Sequence, residues 1–87
     1  MDNLVNIFKA LSDPTRLKIA SFLAKHGQVS CSELSKKFPL SQPTLSHHYK
    51  KLADAGILEV SKEGVSHSYR INHELLKEAG VDLKKVT

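Results

Sequence analysis

Apolar residues recur along this chain at two periods, and the change from one to the other falls near Gly56. Before it the spacing is helical. Leu4, Ile7, Phe8 and Leu11 share one face of a first helix over about residues 3–11, which Asp2 or Asn3 can cap. Ser12-Asp13-Pro14-Thr15 breaks that helix and starts another. Asp13 suits the N-cap, and a proline fits the first helical position, where no N–H is required. This second helix is expected to bury Leu17, Ala20 and Leu23, to leave Ile19 and Phe22 at its margins, and to end at Gly27. Ser30-Cys31-Ser32-Glu33 has the spacing of a capping box, in which the serine hydroxyl accepts from the glutamate N–H and the carboxylate reaches back. It opens a short helix to about Lys37 that buries Leu34 and Phe38, and Pro39-Leu40 forms the turn after it.

The next helix starts at Ser41, a capping residue, tolerates Pro43 in its first turn, and closes at Gly56, which takes up the left-handed conformation most easily. Leu45, His48, Tyr49 and Leu52 lie at i, i+3, i+4 and i+7 and form its inward stripe. After Gly56 the period becomes two. Leu58 and Val60 are expected inward on one strand, His67, Tyr69 and Ile71 share one side of a second, and Glu63-Gly64 makes the hairpin tip. Asn72 can cap a last helix carrying Leu75, Leu76 and Ala79 and ended by Gly80. Residues 81–87 fit a loose tail or a further turn equally well.

Two short helices joined by a tight turn of about four residues, the second polar on its outer face, make a helix-turn-helix, here over about residues 30–56. A hairpin directly after it, over about 57–72, is a wing. The expected fold is therefore α+β and mostly α. It is a single winged helix-turn-helix domain over residues 1–87, with about five helices and a two-stranded β-hairpin.

Composition narrows the function. The formal net charge is +4, compatible with a polyanionic partner though many basic domains bind no nucleic acid. The one cysteine, Cys31, allows neither a disulfide framework nor a multi-thiolate metal site within a chain, and a reducing cytoplasm is the expected compartment. No apolar run reaches the roughly 20 residues that span a bilayer, and the N-terminus lacks the pattern of a signal peptide, so no membrane association is expected. No Ser/His/Asp spacing, glycine-rich phosphate loop or paired carboxylates suggest catalysis, so neither an enzyme nor a cofactor is expected.

The helix that begins at Ser41 carries the candidate site. Gln42, Thr44, Ser46 and His47 are hydrogen-bonding residues on its outer side and first turns, with Lys50 and Lys51 behind them. That order suits a helix whose first turns probe base edges while later residues meet phosphate. Gln can be bidentate to adenine, and Ser or Thr can donate or accept. Lys62 and Arg70 on the wing are further phosphate contacts, and the expected partner is double-stranded DNA. The competing reading of the same residues is a solvated polar face. A winged helix used as a protein-interaction module is a second alternative, although it should present an apolar recognition face. A third is a DNA-binding metal sensor built on histidines. His47 and His48, however, diverge by about 100° on a helix and do not easily share an ion. Arg16 is expected to tie the second helix to its neighbours, and Cys31 to be a semi-buried structural thiol, although its place near a helix cap would favour a reactive one.

Ala10-Leu11-Ser12-Asp13-Pro14-Thr15-Arg16-Leu17-Lys18-Ile19 resembles the opening signature of the ArsR/SmtB-type winged-helix repressors. Leu40 through Leu58 is similar to that family's recognition helix, and Lys62-Glu63-Gly64 through Tyr69-Arg70-Ile71 to its wing, so the likeness spans about residues 4–72. The resemblance implies a homodimeric transcriptional regulator of bacteria or archaea, often a repressor released by metal, metalloid or thiol chemistry. It also implies that the terminal helices, about 3–11 and 73–80, build the dimer. The family's inducer sites are not matched. Its Cys-x-Cys falls on Ser30-Cys31-Ser32, with serine at both ligand positions. Its last-helix site needs histidines beyond His73, which is the last in this chain, and its persulfide sensors need two cysteines. No metal ligands and no small-molecule inducer are therefore assigned.

Overall fold

Side-chain caps decide where the helices begin. In the computed structural model, which describes residues 2–86, the order is α1 (Asp2–Leu11), α2 (Pro14–His26), β1 (Val29–Ser30), α3 (Cys31–Lys37), α4 (Gln42–Asp54), β2 (Leu58–Glu63), β3 (Ser66–Ile71) and α5 (His73–Glu78). A 3-10 turn at Leu83–Lys85 follows. Asp13 caps α2, its carboxylate accepting from the Arg16 N–H at 3.0 Å. Ser30 caps α3 by accepting from the Glu33 N–H at 3.1 Å, and its own hydroxyl donates to the Glu33 carboxylate at 3.2 Å. Asn72 caps α5, accepting from the Leu75 N–H at 3.2 Å. Because α1 already includes Asp2, its cap position falls on Met1, outside the described residues.

The helices close over one face of a small antiparallel sheet in the order β1-β3-β2. The hairpin and its register follow the alternation, with Leu58 opposite Ile71, Val60 opposite Tyr69 and Lys62 opposite His67. β1, which pairs Val29 with Tyr69, is an addition to the expected two strands. At two residues it is too short to show any periodicity. The tip is Gly64-Val65, one residue beyond the expected Glu63-Gly64. Gly64 has φ +61° while Val65 stays negative, the pattern of a type II′ turn.

Ile19, Leu23, Leu34, Leu45, Leu52 and Ile57 form the fully buried centre, each contributing about 1.5–3 kcal/mol by leaving water. Ile19 is central rather than marginal, whereas Leu17 is only half-buried. The cause is the position of α2, which packs against α1, α4, β3 and the 3-10 turn and so buries a wider sector than one stripe. Phe38 is likewise half-buried, covered on one side by Phe22. Val60 points to the core side of the sheet, yet is 46% exposed, because β2 is an edge strand, whereas Tyr69 opposite it on the central β3 is buried.

Among the described side chains of α1 only Ile7 and Ala10 are buried within the chain, while Leu4, Val5 and Phe8 remain exposed. The last turn holds Leu83 against the core, and the Lys25 ammonium donates to the Val86 carbonyl at 2.7 Å, so residues 81–86 are a packed return rather than a loose tail. No described helix is long and apolar enough to cross a membrane.

Candidate nucleic-acid interface

α4 is fixed at both ends by its own residues. The Ser41 hydroxyl accepts from the Thr44 N–H at 3.3 Å and donates to the Thr44 hydroxyl at 2.7 Å. At the other end Gly56, at φ +81°, donates to the Ala53 carbonyl and Ile57 to that of Leu52, a Schellman closure. Leu45, Tyr49 and Leu52 are buried between them. The Tyr49 ring lies 4.5 Å from that of Tyr69, and its hydroxyl has no hydrogen-bond partner among the described residues. Burial pushes that phenol well above its ordinary range, and the nearby Cys31 and Tyr69 act in the same direction.

His48, the remaining member of the stripe, faces the junction of α1 and α2. Its Nδ1 lies 3.9 Å from the Asp13 carboxylate and 3.5 Å from an Arg16 guanidinium nitrogen. Arg16 Nε donates to the Ala10 carbonyl at 2.7 Å, so one arginine links the end of α1, the start of α2 and the middle of α4, its expected role. Accepting the Arg16 N–H holds the Asp13 carboxyl below its usual range. Partial burial opposes this, and the charges of Arg16 and His48 reinforce it.

All eight residues singled out from the sequence, Gln42, Thr44, Ser46, His47, Lys50, Lys51, Lys62 and Arg70, are exposed. They do not form one uniform surface. Ser46 and His47 point outward with no side-chain hydrogen bond among the described residues, and Lys50 beside them pairs with Asp54 at 3.1 Å. Thr44 is engaged by its cap. Lys51 lies on the α1 flank, lining a groove of about 350 Å³ with Asn6, Lys9 and Arg16. Gln42 lies on the opposite flank, its amide against Cys31 and Ser35 of α3. The wing cations separate as well. Lys62 shares the sheet face of Leu58 and Val60, close to the tip and opposite His67, whereas Arg70 is on the reverse face and is 3.4 Å from Glu59.

Cys31 and Ser35 were not singled out from the sequence as neighbours of Gln42. Their i, i+4 spacing puts both on one face of α3, and that face meets the start of α4. The rings of His47 and His48 are 5.9 Å apart and tilted by 62°, and among the described residues no three of His, Cys, Asp and Glu come together around a possible metal position. A soft metalloid prefers several thiolates, and a chain with a single cysteine does not fit that donor set.

A helix-turn-helix domain model matches residues 11–61, which include α2, the helix-turn-helix and the start of the wing. The arsenical resistance operon repressor of Staphylococcus xylosus is 45% identical over 73 residues, 84% of this chain and 69% of the relative. The ArsR-like transcriptional regulator from Rhodococcus sp. RHA1 superposes with a TM-score of 0.81 at 30% identity, over 91% of this chain and 74% of that one. The homodimeric winged helix-turn-helix DNA-binding domain Mb0332 from Mycobacterium bovis does so with a TM-score of 0.78 at 25% identity, over 91% and 73% of the two chains. A cap-defined helix-turn-helix, a wing in register and these likenesses agree: the chain belongs to the ArsR family of winged helix-turn-helix transcriptional regulators.

Proposed function

We propose that this single domain acts as a homodimeric repressor on a palindromic operator, with the first turns of α4 in the major groove. One observation carries the reading: α4 is anchored along its whole inner side, while its opposite edge presents Ser46 and His47 with no internal hydrogen bonds among the described residues. Gln42, Thr44, Ser46 and His47 meet base edges, and Lys50 and Lys51 meet the backbone. On the wing Lys62 is the leading phosphate contact, since it lies near the tip and has no ion pair among the described residues. Arg70 contributes less, because it must leave Glu59 and sits far from the tip.

Pairing uses α1 and α5. Leu4, Val5 and Phe8 are exposed on α1, and a groove of about 240 Å³ lined by Leu4, Ile7, Leu75 and Ala79 runs between the two helices. The Mycobacterium bovis relative is described as homodimeric, which supports pairing as such. A two-fold pair places two recognition helices in successive major grooves, roughly 34–36 Å apart. Repression then follows from occupying a promoter. With one cysteine and no histidine cluster among the described residues, release by a metal bound within one chain is not part of the proposal.

The test is selection of duplexes from a random pool by the purified chain, paired with sedimentation equilibrium. Inverted half-sites one helical turn apart and a dimer at micromolar concentration are expected. A monomer, or a pool without enriched sequence, contradicts it.

A further inference from the structure

Gln42 differs from the other candidate base readers in where it points. It is five residues from His47, which turns it about 140° around the helix from that outward position, toward α3. Both ends of its amide meet α3 there. Nε2 donates to the Cys31 Sγ at 3.5 Å, and Oε1 faces the Ser35 hydroxyl at 3.4 Å. Ser35 has one hydroxyl hydrogen, which either the Cys31 carbonyl at 3.0 Å or the Gln42 Oε1 can accept, so its hold on Gln42 is shared with its own helix. A free glutamine side chain has three rotatable bonds, and immobilising one on binding costs about 0.5–1.5 kcal/mol. Here the ordering happens before DNA arrives. The two holds are also weak enough to be exchanged, since a thiol is a poor acceptor and the Ser35 hydrogen is shared with a backbone carbonyl.

We propose that Cys31 and Ser35 are positioning residues for base readout, pre-orienting the Gln42 amide so that it can exchange α3 for a base edge in the major groove. The proposal rests on the reading that Gln42 meets a base. It makes the first helix of the helix-turn-helix a determinant of sequence preference at one position, in addition to supporting the second. It also places the only thiol of the chain directly behind that position.

The test uses the full chain on a selected duplex and on variants changed at one base pair at a time, with affinity read by anisotropy. Gln42→Ala is expected to lose roughly 5- to 150-fold discrimination at one base pair per half-site, the range of a bidentate contact. Ser35→Ala should lose about 2- to 10-fold at that same base pair, from the ordering cost above. For Ser35→Ala, binding to scrambled duplex and its salt dependence should not change. In the Gln42→Ala background Ser35→Ala should have no further effect. Iodoacetamide supplies a second, post-folding arm. The Cys31 sulfur displaces iodide to form a thioether, its proton goes to solvent, and the added group occupies the place of the Gln42 amide. The same base pair should lose discrimination. If Gln42→Ala is position-specific while Ser35→Ala and the alkylated chain keep the wild-type profile, or weaken all duplexes equally, the positioning role is overturned alone. If Gln42→Ala itself leaves the profile unchanged, the base-reading role of Gln42 falls, and the positioning role falls with it.

Discussion

On its α2 side the recognition helix meets charged groups, and on its α3 side neutral ones at similar distances. His48 rests against Asp13 and Arg16, and Arg16 is tied to the Ala10 carbonyl at 2.7 Å. Gln42 rests against a thiol at 3.5 Å and a hydroxyl at 3.4 Å. Charge-assisted hydrogen bonds are roughly twice as strong as neutral ones. The stronger set lies behind the helix and carries no reading residue, so it can stay formed when DNA binds. The weaker set holds a side chain that has to exchange partners. The contrast explains how one helix can be rigidly placed and still have a replaceable contact at its reading end.

The largest effect should come from removing what both sides share. Leu52 is fully buried, and Leu52→Ala is expected to cost about 2–5 kcal/mol in urea melts, enough to unfold much of a domain this small. A loss below about 1 kcal/mol would show that the core does not anchor α4. Next in size, Arg16→Ala removes the charged side and should cost about 1–3 kcal/mol. Because it shifts the helix as a body, it should weaken selected and scrambled duplexes together, unlike Ser35→Ala. A position-specific loss for Arg16→Ala would erase the distinction between the two sides.

Asp13→Ala should cost about 1 kcal/mol through the lost cap and adds a pH signature. The folded Asp13 pKa lies below the ordinary carboxylate value, chiefly because the carboxylate accepts the Arg16 N–H. A lowered pKa means stabilisation that is present above the unfolded value and is lost as pH falls through the folded one. The wild type should therefore lose stability on acidification below about pH 4 more steeply than Asp13→Ala, measured as urea midpoint against pH. Asp13→Asn keeps a cap oxygen and should lose the pH dependence more than the stability. Smallest of all, Tyr49→Phe removes a buried hydroxyl without a partner among the described residues and should be neutral or stabilising by under about 1 kcal/mol. Marked destabilisation would reveal a partner for that hydroxyl.

The features legible in the sequence were those set by neighbours a few residues apart. Asp13, Ser30, Ser41 and Asn72 announce their helices because a cap needs only the next three residues, and Gly56 announces its end for the same reason. The register of β2 and β3 followed from alternation across a short turn. What was not legible depends on elements meeting from afar. Ile19 reads as marginal on one helix and is central once α2 is covered on several sides. Val60 reads as inward and is exposed because its strand lies at the edge of the sheet. In the candidate site, the exposure of all eight residues matched their polarity, but their division among flanks and faces did not show. Lys62 and Arg70 look equivalent as wing cations, and only the pairing register puts them on opposite faces.

The most direct measurement compares the wild type with a Gln42→Ala, Ser46→Ala, His47→Ala variant on selected and scrambled duplexes over a range of salt. The wild type should prefer the selected duplex, and its affinity for both should fall steeply as salt rises, because neutralised phosphates release counterions. The variant should keep the salt dependence and lose the preference. A variant that still discriminates as the wild type does, or a wild type whose affinity ignores salt, would contradict base reading by the outer edge of α4.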